Sequence, residues 1–122
     1  MNRPRLLVVD DDPYTRSALH AMFARQGWEV RTAATVSEGL ALLDPAPHCV
    51  ILDLNLPDGG GEAILWEVRT NLPRTRVAVC SGAEDPRRLE LVRRLRPELL
   101  LWKPIEMASV LRLCDEVKAA SG

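Results

Sequence analysis

The sequence predicts an α/β protein, a doubly wound parallel sheet with helices on both faces. Three observations carry this. Short apolar runs recur along the chain, at Leu6–Val9, Cys49–Leu52, Val77–Cys80 and Leu99–Trp102. Amphipathic segments with helix start signals lie between them. The two kinds of segment alternate without an internal repeat, a low-complexity stretch or a Gly/Ser-rich linker. Four-residue apolar runs suit strands buried on both faces, as in a parallel sheet covered by helices.

The elements follow in order. Leu6–Val9 is the first strand. Asp12–Pro13 supplies an N-cap and a proline at the first helical position. Leu19, Met22 and Phe23 then form an i, i+3, i+4 stripe, and Gly27 ends the helix. Glu29–Thr32 alternates polar and apolar residues, the pattern of an edge strand with one wet face. Thr35 and Glu38 have capping-box spacing ahead of Leu40 and Leu43. After the strand Cys49–Leu52, Gly59–Gly61 opens a third helix with Ile64, Leu65 and Val68 inward. After Val77–Cys80, Asp85–Pro86 starts a fourth helix that reaches about Leu95. After Leu99–Trp102, the residues Met107, Val110, Leu111, Cys114 and Val117 form the apolar face of a fifth. The expectation is five strands and five helices in strict alternation.

Composition bounds the function. The chain has 122 residues, 47% apolar and 27% charged, which is one ordinary globular domain. A net charge of -1 argues against a globally basic nucleic-acid binder, and direct nucleic-acid binding is not expected. No apolar run approaches the roughly 18 residues of a membrane span, and no membrane association is expected. The first apolar run is too short for a signal peptide. Cys49, Cys80 and Cys114 are odd in number and widely spaced, which fits neither a disulfide framework nor a zinc site. They read as core fillers in a reducing, cytoplasmic setting.

In doubly wound folds the chemistry sits at the carboxyl ends of the strands. Asp10, Asp11 and Asp12 follow the first strand, and Asp53 follows the third. Ser81 and Gly82 follow the fourth, and Lys103 and Pro104 the fifth. Adjacent strands would bring these groups into one crevice. Clustered carboxylates repel unless a cation sits among them, and an all-oxygen site with few protein ligands suits Mg²⁺. A carboxylate can act as a nucleophile that forms an acyl phosphate, with a lysine and a hydroxyl on the phosphoryl oxygens. Asp53 is the candidate nucleophile at the centre of the sheet. Asp10 and Asp11 are the metal acids. Gly82 suits a backbone that a phosphoryl group approaches closely. Singly, each feature has a plainer meaning: Asp12 is a helix cap, Gly59–Gly61 is a turn without a P-loop lysine, and a lone lysine is usually solvated. The conjunction at four different strand ends carries the argument.

The segments LLVVDDDP, VILDLNLPDGG, VAVCSG and LWKP, in this order, resemble the receiver domain of bacterial two-component response regulators. The resemblance covers about Arg5 to Val117. It implies the flavodoxin-like receiver fold with strand order 2-1-3-4-5, an order for which the best-known receiver protein is itself a standard example. It implies that Asp53 is the phosphoacceptor, that Asp11 binds Mg²⁺ directly and that Asp10 acts through a water. Asn55 would offer its backbone carbonyl to the metal. Lys103 would contact the phosphoryl group, with a cis bond to Pro104. Ser81 takes the place of the switch hydroxyl, and Pro57 and Gly61 match the loop after the third strand. The implied partner is a sensor histidine kinase or phosphotransfer protein. The implied role is a signalling switch that catalyses its own phosphorylation and dephosphorylation. A homodimer through the fourth- and fifth-helix face is a further family habit.

The chain departs from the family at named positions. The switch aromatic is replaced by Leu100. Trp102 is assigned to core packing, since alternation turns it away from Lys103. Arg96-Pro97 stands where Gly-Ala is usual before the fifth strand. Arg87, Arg88, Arg93, Arg94 and Arg96 read as a solvated face balanced by Glu84, Asp85 and Glu90, in preference to a docking patch for an acidic partner. His20 and His48 read as surface or boundary residues. Leu100 keeps open a pseudo-receiver, a binding module independent of phosphorylation. An aspartate-nucleophile phosphohydrolase ranks last, because Asn55 stands where its second carboxylate would be. The expected organisation is one receiver domain without an effector domain, either acting alone or belonging to a longer regulator.

Overall fold

The computed structural model describes residues 3–82 and 85–121. Along the chain run β1 (Arg5–Val9), α1 (Pro13–Arg25), β2 (Glu29–Ala33), α2 (Val36–Ala41) and β3 (Cys49–Asp53). A two-stranded hairpin follows, β4 (Asn55–Leu56) and β5 (Gly59–Gly60), then α3 (Glu62–Asn71) and β6 (Arg76–Ser81). The chain closes with α4 (Pro86–Arg94), β7 (Leu99–Trp102) and α5 (Met107–Ser121). The main sheet has five strands in the order β2-β1-β3-β6-β7, all parallel. Counted without the hairpin, this is the expected order 2-1-3-4-5, and β2 is an edge strand as its alternation implies.

The sheet separates two apolar layers, because successive side chains on a strand point to opposite faces. Leu7, Val9, Val50, Leu52, Val77 and Val79 face one way, against Ile64, Leu65 and Val68 of α3 and Leu89 and Val92 of α4. Leu6, Val8, Ile51 and Ala78 face the other, against Leu19 and Phe23 of α1 and Val110 and Val117 of α5. All three cysteines are free and buried in this second layer, as core fillers should be. Burial pushes the Cys80 thiol up to about 12 and holds it in the unreactive protonated form.

The caps form as their residues dictate. The Asp12 carboxylate accepts from the Tyr14 amide at 3.1 Å and from the Thr15 hydroxyl at 2.8 Å. The Thr35 hydroxyl accepts from the Glu38 amide at 3.1 Å. Asp85 accepts from the Arg87 amide at 2.8 Å.

Two expectations need correction. The three glycines do not all open the third helix. Gly59 and Gly60 pair with Leu56 and Asn55 in the hairpin, and only Gly61 stands at the N-cap. The turn residues Pro57 and Asp58 lie between the two short strands, and Gly59 takes φ +148. Nor is Trp102 a core residue: it is 52% exposed. It ends β7, an edge strand, at the rim of the sheet. The Arg96-Pro97 departure also has a physical account. Arg96 takes φ 51, the left-handed conformation that usually follows a helix. The Arg69 guanidinium holds the carbonyls it leaves open, donating to Leu95 at 2.9 Å and to Arg96 at 2.8 Å.

Candidate functional site

Sheet register places the carboxylates. Val9 on β1 is the partner of Leu52 on β3, so the next residues, Asp10 and Asp53, stand side by side. Asp53 is the partner of Cys80 on β6, and Ser81 is the partner of Trp102 on β7. Ser81 thus falls one step beyond the level of Asp53 on the neighbouring β6, and Lys103 two steps beyond it, just past the end of β7. The Lys103 amide donates to the Ser81 carbonyl at 2.7 Å, and the Lys103–Pro104 bond is cis.

Lys103 Nζ lies 3.0 Å from Asp53 Oδ2 and 3.6 Å from Asp10 Oδ2. Asp53 is only 3% exposed and Asp10 only 4%, whereas Asp11 is open to solvent. One oxygen from each of Asp10, Asp11 and Asp53 lies within 4.8 Å of the others. The other oxygen of Asp53, Oδ1, accepts from the Asn55 amide at 3.2 Å. Asp10 Oδ1 accepts from the Asp12 amide at 2.9 Å. Ser81 is fully buried, and its hydroxyl donates to the Gly82 carbonyl at 3.0 Å.

The charges are not at rest in this arrangement. Burial pushes the Asp10 carboxyl above its usual range. The Asp12 amide and Lys103 work against that shift, and Asp53 and Asp11 reinforce it. Lys103 is raised above an ordinary lysine. Its burial opposes this, but the hydrogen bond with Asp53 and the field of both carboxylates outweigh it. One ammonium thus serves two buried carboxylates, with Asp11 beside them. The donor set is hard, all-oxygen and open to water on the Asp11 side, which fits a small divalent cation.

The loop after Asp53 is anchored on three sides. A Cβ on Gly61 would meet the Asp53 carbonyl oxygen at 2.3 Å, so only glycine lets α3 start this close to β3. The Asp58 carboxylate accepts from the Val36 and Ser37 amides at 2.8 Å and 3.0 Å, which ties the hairpin to α2. Those two bonds hold the Asp58 carboxyl below its usual range. Arg88 reaches the loop from α4. It donates to the Asn55 side-chain oxygen at 2.7 Å and to the Leu54 carbonyl. It also pairs with both oxygens of Glu62 on α3, at 2.5 Å and 2.8 Å.

Arg88 therefore does not belong to the solvated face expected of its helix. Arg94 and Glu90 do, as an exposed pair at 3.1 Å. Glu84, invoked to balance the arginines, lies outside the described residues. Neither histidine reaches the site. His20 is exposed on α1, and His48 Nδ1 accepts from the Arg5 amide at 2.9 Å, at the amino end of the sheet.

Residues 6–115 match the response regulator receiver domain. The chain belongs to this family. It is 35% identical over 78 residues to the photosynthetic apparatus regulatory protein RegA of Rhodobacter capsulatus, an overlap of 63% of this chain and 42% of RegA. The chain thus spans less than half the length of that relative. Among solved structures, a CheY-like response regulator receiver domain protein from Methanospirillum hungatei superposes with a TM-score of 0.87 at 22% identity, covering 99% of this chain and 100% of that one. A response regulator from Burkholderia pseudomallei, solved with a phosphorylated aspartic acid, a calcium ion and citrate, superposes with a TM-score of 0.79 at 23% identity. That overlap covers 98% of this chain and 73% of the other. At these identities the two structures establish the fold. As a receiver, the chain is a unit of two-component signalling.

Proposed function

We propose that the domain accepts a phosphoryl group on Asp53 from the phosphohistidine of a sensor histidine kinase or phosphotransfer protein, and thereby switches a protein-binding surface. The observation that carries this reading is the environment of Asp53. It is a buried carboxylate with an ammonium at 3.0 Å and further carboxylates within 4.8 Å. An Asp53 oxygen attacks phosphorus as the P–N bond breaks. The bonding pair leaves with the imidazole, and an acyl phosphate forms. Hydrolysis reverses the signal: water attacks phosphorus, and the P–O bond to Asp53 breaks to return the carboxylate and inorganic phosphate. The domain acts as a switch that carries out these two steps on itself.

Asp11, Asp53 and the Asn55 carbonyl would hold Mg²⁺, with Asp10 acting through a water. The ion supplies charge neutralisation at the phosphoryl oxygens. Lys103 stays protonated at any physiological pH and follows the negative charge from Asp53 onto the phosphoryl group. Ser81 turns its hydroxyl from the Gly82 carbonyl toward a phosphoryl oxygen. Trp102 is the register partner of Ser81 and is half exposed, so movement of Ser81 reaches the surface there.

The test is intact mass after incubation with acetyl phosphate, with and without Mg²⁺, beside Asp53→Asn. One added phosphoryl group that needs both the ion and Asp53 is expected. Unchanged partner affinity before and after such labelling would instead support a phosphorylation-independent binding module.

A further inference from the structure

Arg88 makes more contacts than a surface arginine has reason to make. Its guanidinium spans three segments: α4, which carries it, the start of α3 at Glu62, and Leu54–Asn55 directly after the acceptor. Its side chain is 25% exposed and that of Glu62 18%. The Glu62 pair is bidentate, and Glu62 is held below its usual range by Arg88 although burial pushes it the other way. The hairpin closes directly over the pair. A Cβ on Gly60 would stand 2.4 Å from Glu62 Oε1 and 3.0 Å from Arg88 Nη2. The Leu54 carbonyl that Arg88 engages also accepts from the Gly61 amide at 2.9 Å. The next residue, Asn55, has its side chain on Arg88 and its amide on Asp53 Oδ1.

We propose that Arg88 is a positioning residue for the phosphoryl site. From α4 it holds Leu54 and Asn55 in the conformation that aims the Asn55 amide at the Asp53 carboxylate. The role rests on the reading of Asp53 as acceptor, and it names a residue outside the acid, hydroxyl and lysine set. Only a planar fork can serve Glu62, Leu54 and Asn55 together. A lysine, as a point charge, can satisfy one or two of them. The same contacts make the loop sensitive to the position of α4, because the helix cannot shift without drawing on Leu54 and Asn55. With Leu100 in place of an aromatic, this is a direct polar link between α4 and the acceptor loop.

The test compares wild type, Arg88→Ala and Arg88→Lys by two readouts. One is the rate of Asp53 labelling by acetyl phosphate with Mg²⁺. The other is hydrogen exchange of the Asn55 amide without either, set against core amides such as Val50 and Val79. Arg88→Ala should slow labelling about tenfold, since small misplacements of a reacting group cost that much or more. It should speed Asn55 exchange by about the same factor and leave the core amides unchanged. Arg88→Lys should fall between the two in both readouts. The proposal is overturned if Asn55 exchange in Arg88→Ala matches wild type, or if labelling is unaffected while wild type labels normally. It is equally overturned if core amides accelerate with Asn55, because Arg88 then only stabilises the fold. If wild type takes no label, the acceptor reading fails by itself, and the Asn55 exchange still decides whether Arg88 holds the loop.

Discussion

The centre of the sheet and its β7 rim hold the two halves of the site under opposite conditions. Asp10 follows β1 and Asp53 ends β3, strands paired on both sides, and both carboxylates are buried. Lys103 and Trp102 stand at the end of an edge strand, with the Lys103 side chain 37% exposed and Trp102 52% exposed. The Asp53 carboxylate is thus placed where the backbone is held by strands on both sides. The groups expected to follow the charge are placed where side chains can move into water. The comparison is broken most severely by disturbing the centre. Gly61→Ala puts a methyl at 2.3 Å from the Asp53 carbonyl oxygen, a backbone atom that cannot swing aside. It should cost about 2–3 kcal/mol, as overpacking of a closed site does, and lower Tm by several degrees. Thermal unfolding reads this directly, and an unchanged Tm would mean that the loop after Asp53 yields freely.

At the rim the effect should be smaller. Lys103→Met leaves the carboxylates of Asp10 and Asp53 without their cation. Removing one partner of a fully buried pair costs about 3–5 kcal/mol. Lys103 is more than a third exposed, so solvent screening reduces this to about 1–2 kcal/mol. The pH dependence has a definite sign. The pKa of Lys103 in the folded state is raised above the ordinary 10.5, so its contribution is complete below that value and disappears as pH rises through the raised one. Wild type should therefore lose stability relative to Lys103→Met only in alkaline solution above about pH 10.5. Denaturant titrations at neutral and alkaline pH separate the two.

The centre was more legible in the sequence than the rim. Strands buried on both faces must be apolar throughout, so the first polar residue marks where each strand leaves the core. Asp10, Asp53 and Ser81 announce themselves in this way. An edge strand lacks that constraint, which is why Trp102, ending a run of leucines, reads as core and is found at the surface. Arg88 was illegible for a different reason. Its partners lie 26 and 34 residues away along the chain, and Arg87, Arg93 and Arg94 present the same local pattern. Asp58 is similar, since it caps a helix that starts 22 residues earlier. Local periodicity records which way a helix faces. It does not record which of several equal charges finds a carboxylate on a neighbouring element.

The imbalance of charge at the centre gives a prediction of opposite sign. Burial raises the Asp10 carboxyl above the ordinary 3.8. Its contribution to stability is therefore present below that value and lost as pH rises through the raised one. Asp10→Asn removes the charge, keeps an acceptor for the Asp12 amide and leaves Lys103 to Asp53. It should stabilise the metal-free protein by about 1 kcal/mol at neutral pH. The gain should vanish toward pH 3, where the wild-type carboxyl is neutral in both states. Saturating Mg²⁺ should narrow the difference by stabilising wild type more than the variant. A variant less stable than wild type at neutral pH would mean that Lys103 already balances the cluster.

The smallest effect on stability is expected at the outermost residue. Trp102→Ala removes a side chain that is half in water, on a strand end whose partner is Ser81. It should change stability by less than about 1 kcal/mol, against about 3–5 kcal/mol for Phe23→Ala in the fully buried layer under α1. What Trp102 should carry is a signal. Of the three tryptophans, Trp28 is buried against Phe23 and Trp66 projects from α3 away from the core. Only Trp102 adjoins both Ser81 and Lys103, the two groups expected to turn toward a phosphoryl oxygen. Acetyl phosphate with Mg²⁺ should therefore change the fluorescence of wild type and of Trp66→Phe, and leave Trp102→Phe nearly silent although it labels at the wild-type rate. An equal response in Trp102→Phe would place the movement elsewhere and show that the rim is as fixed as the centre.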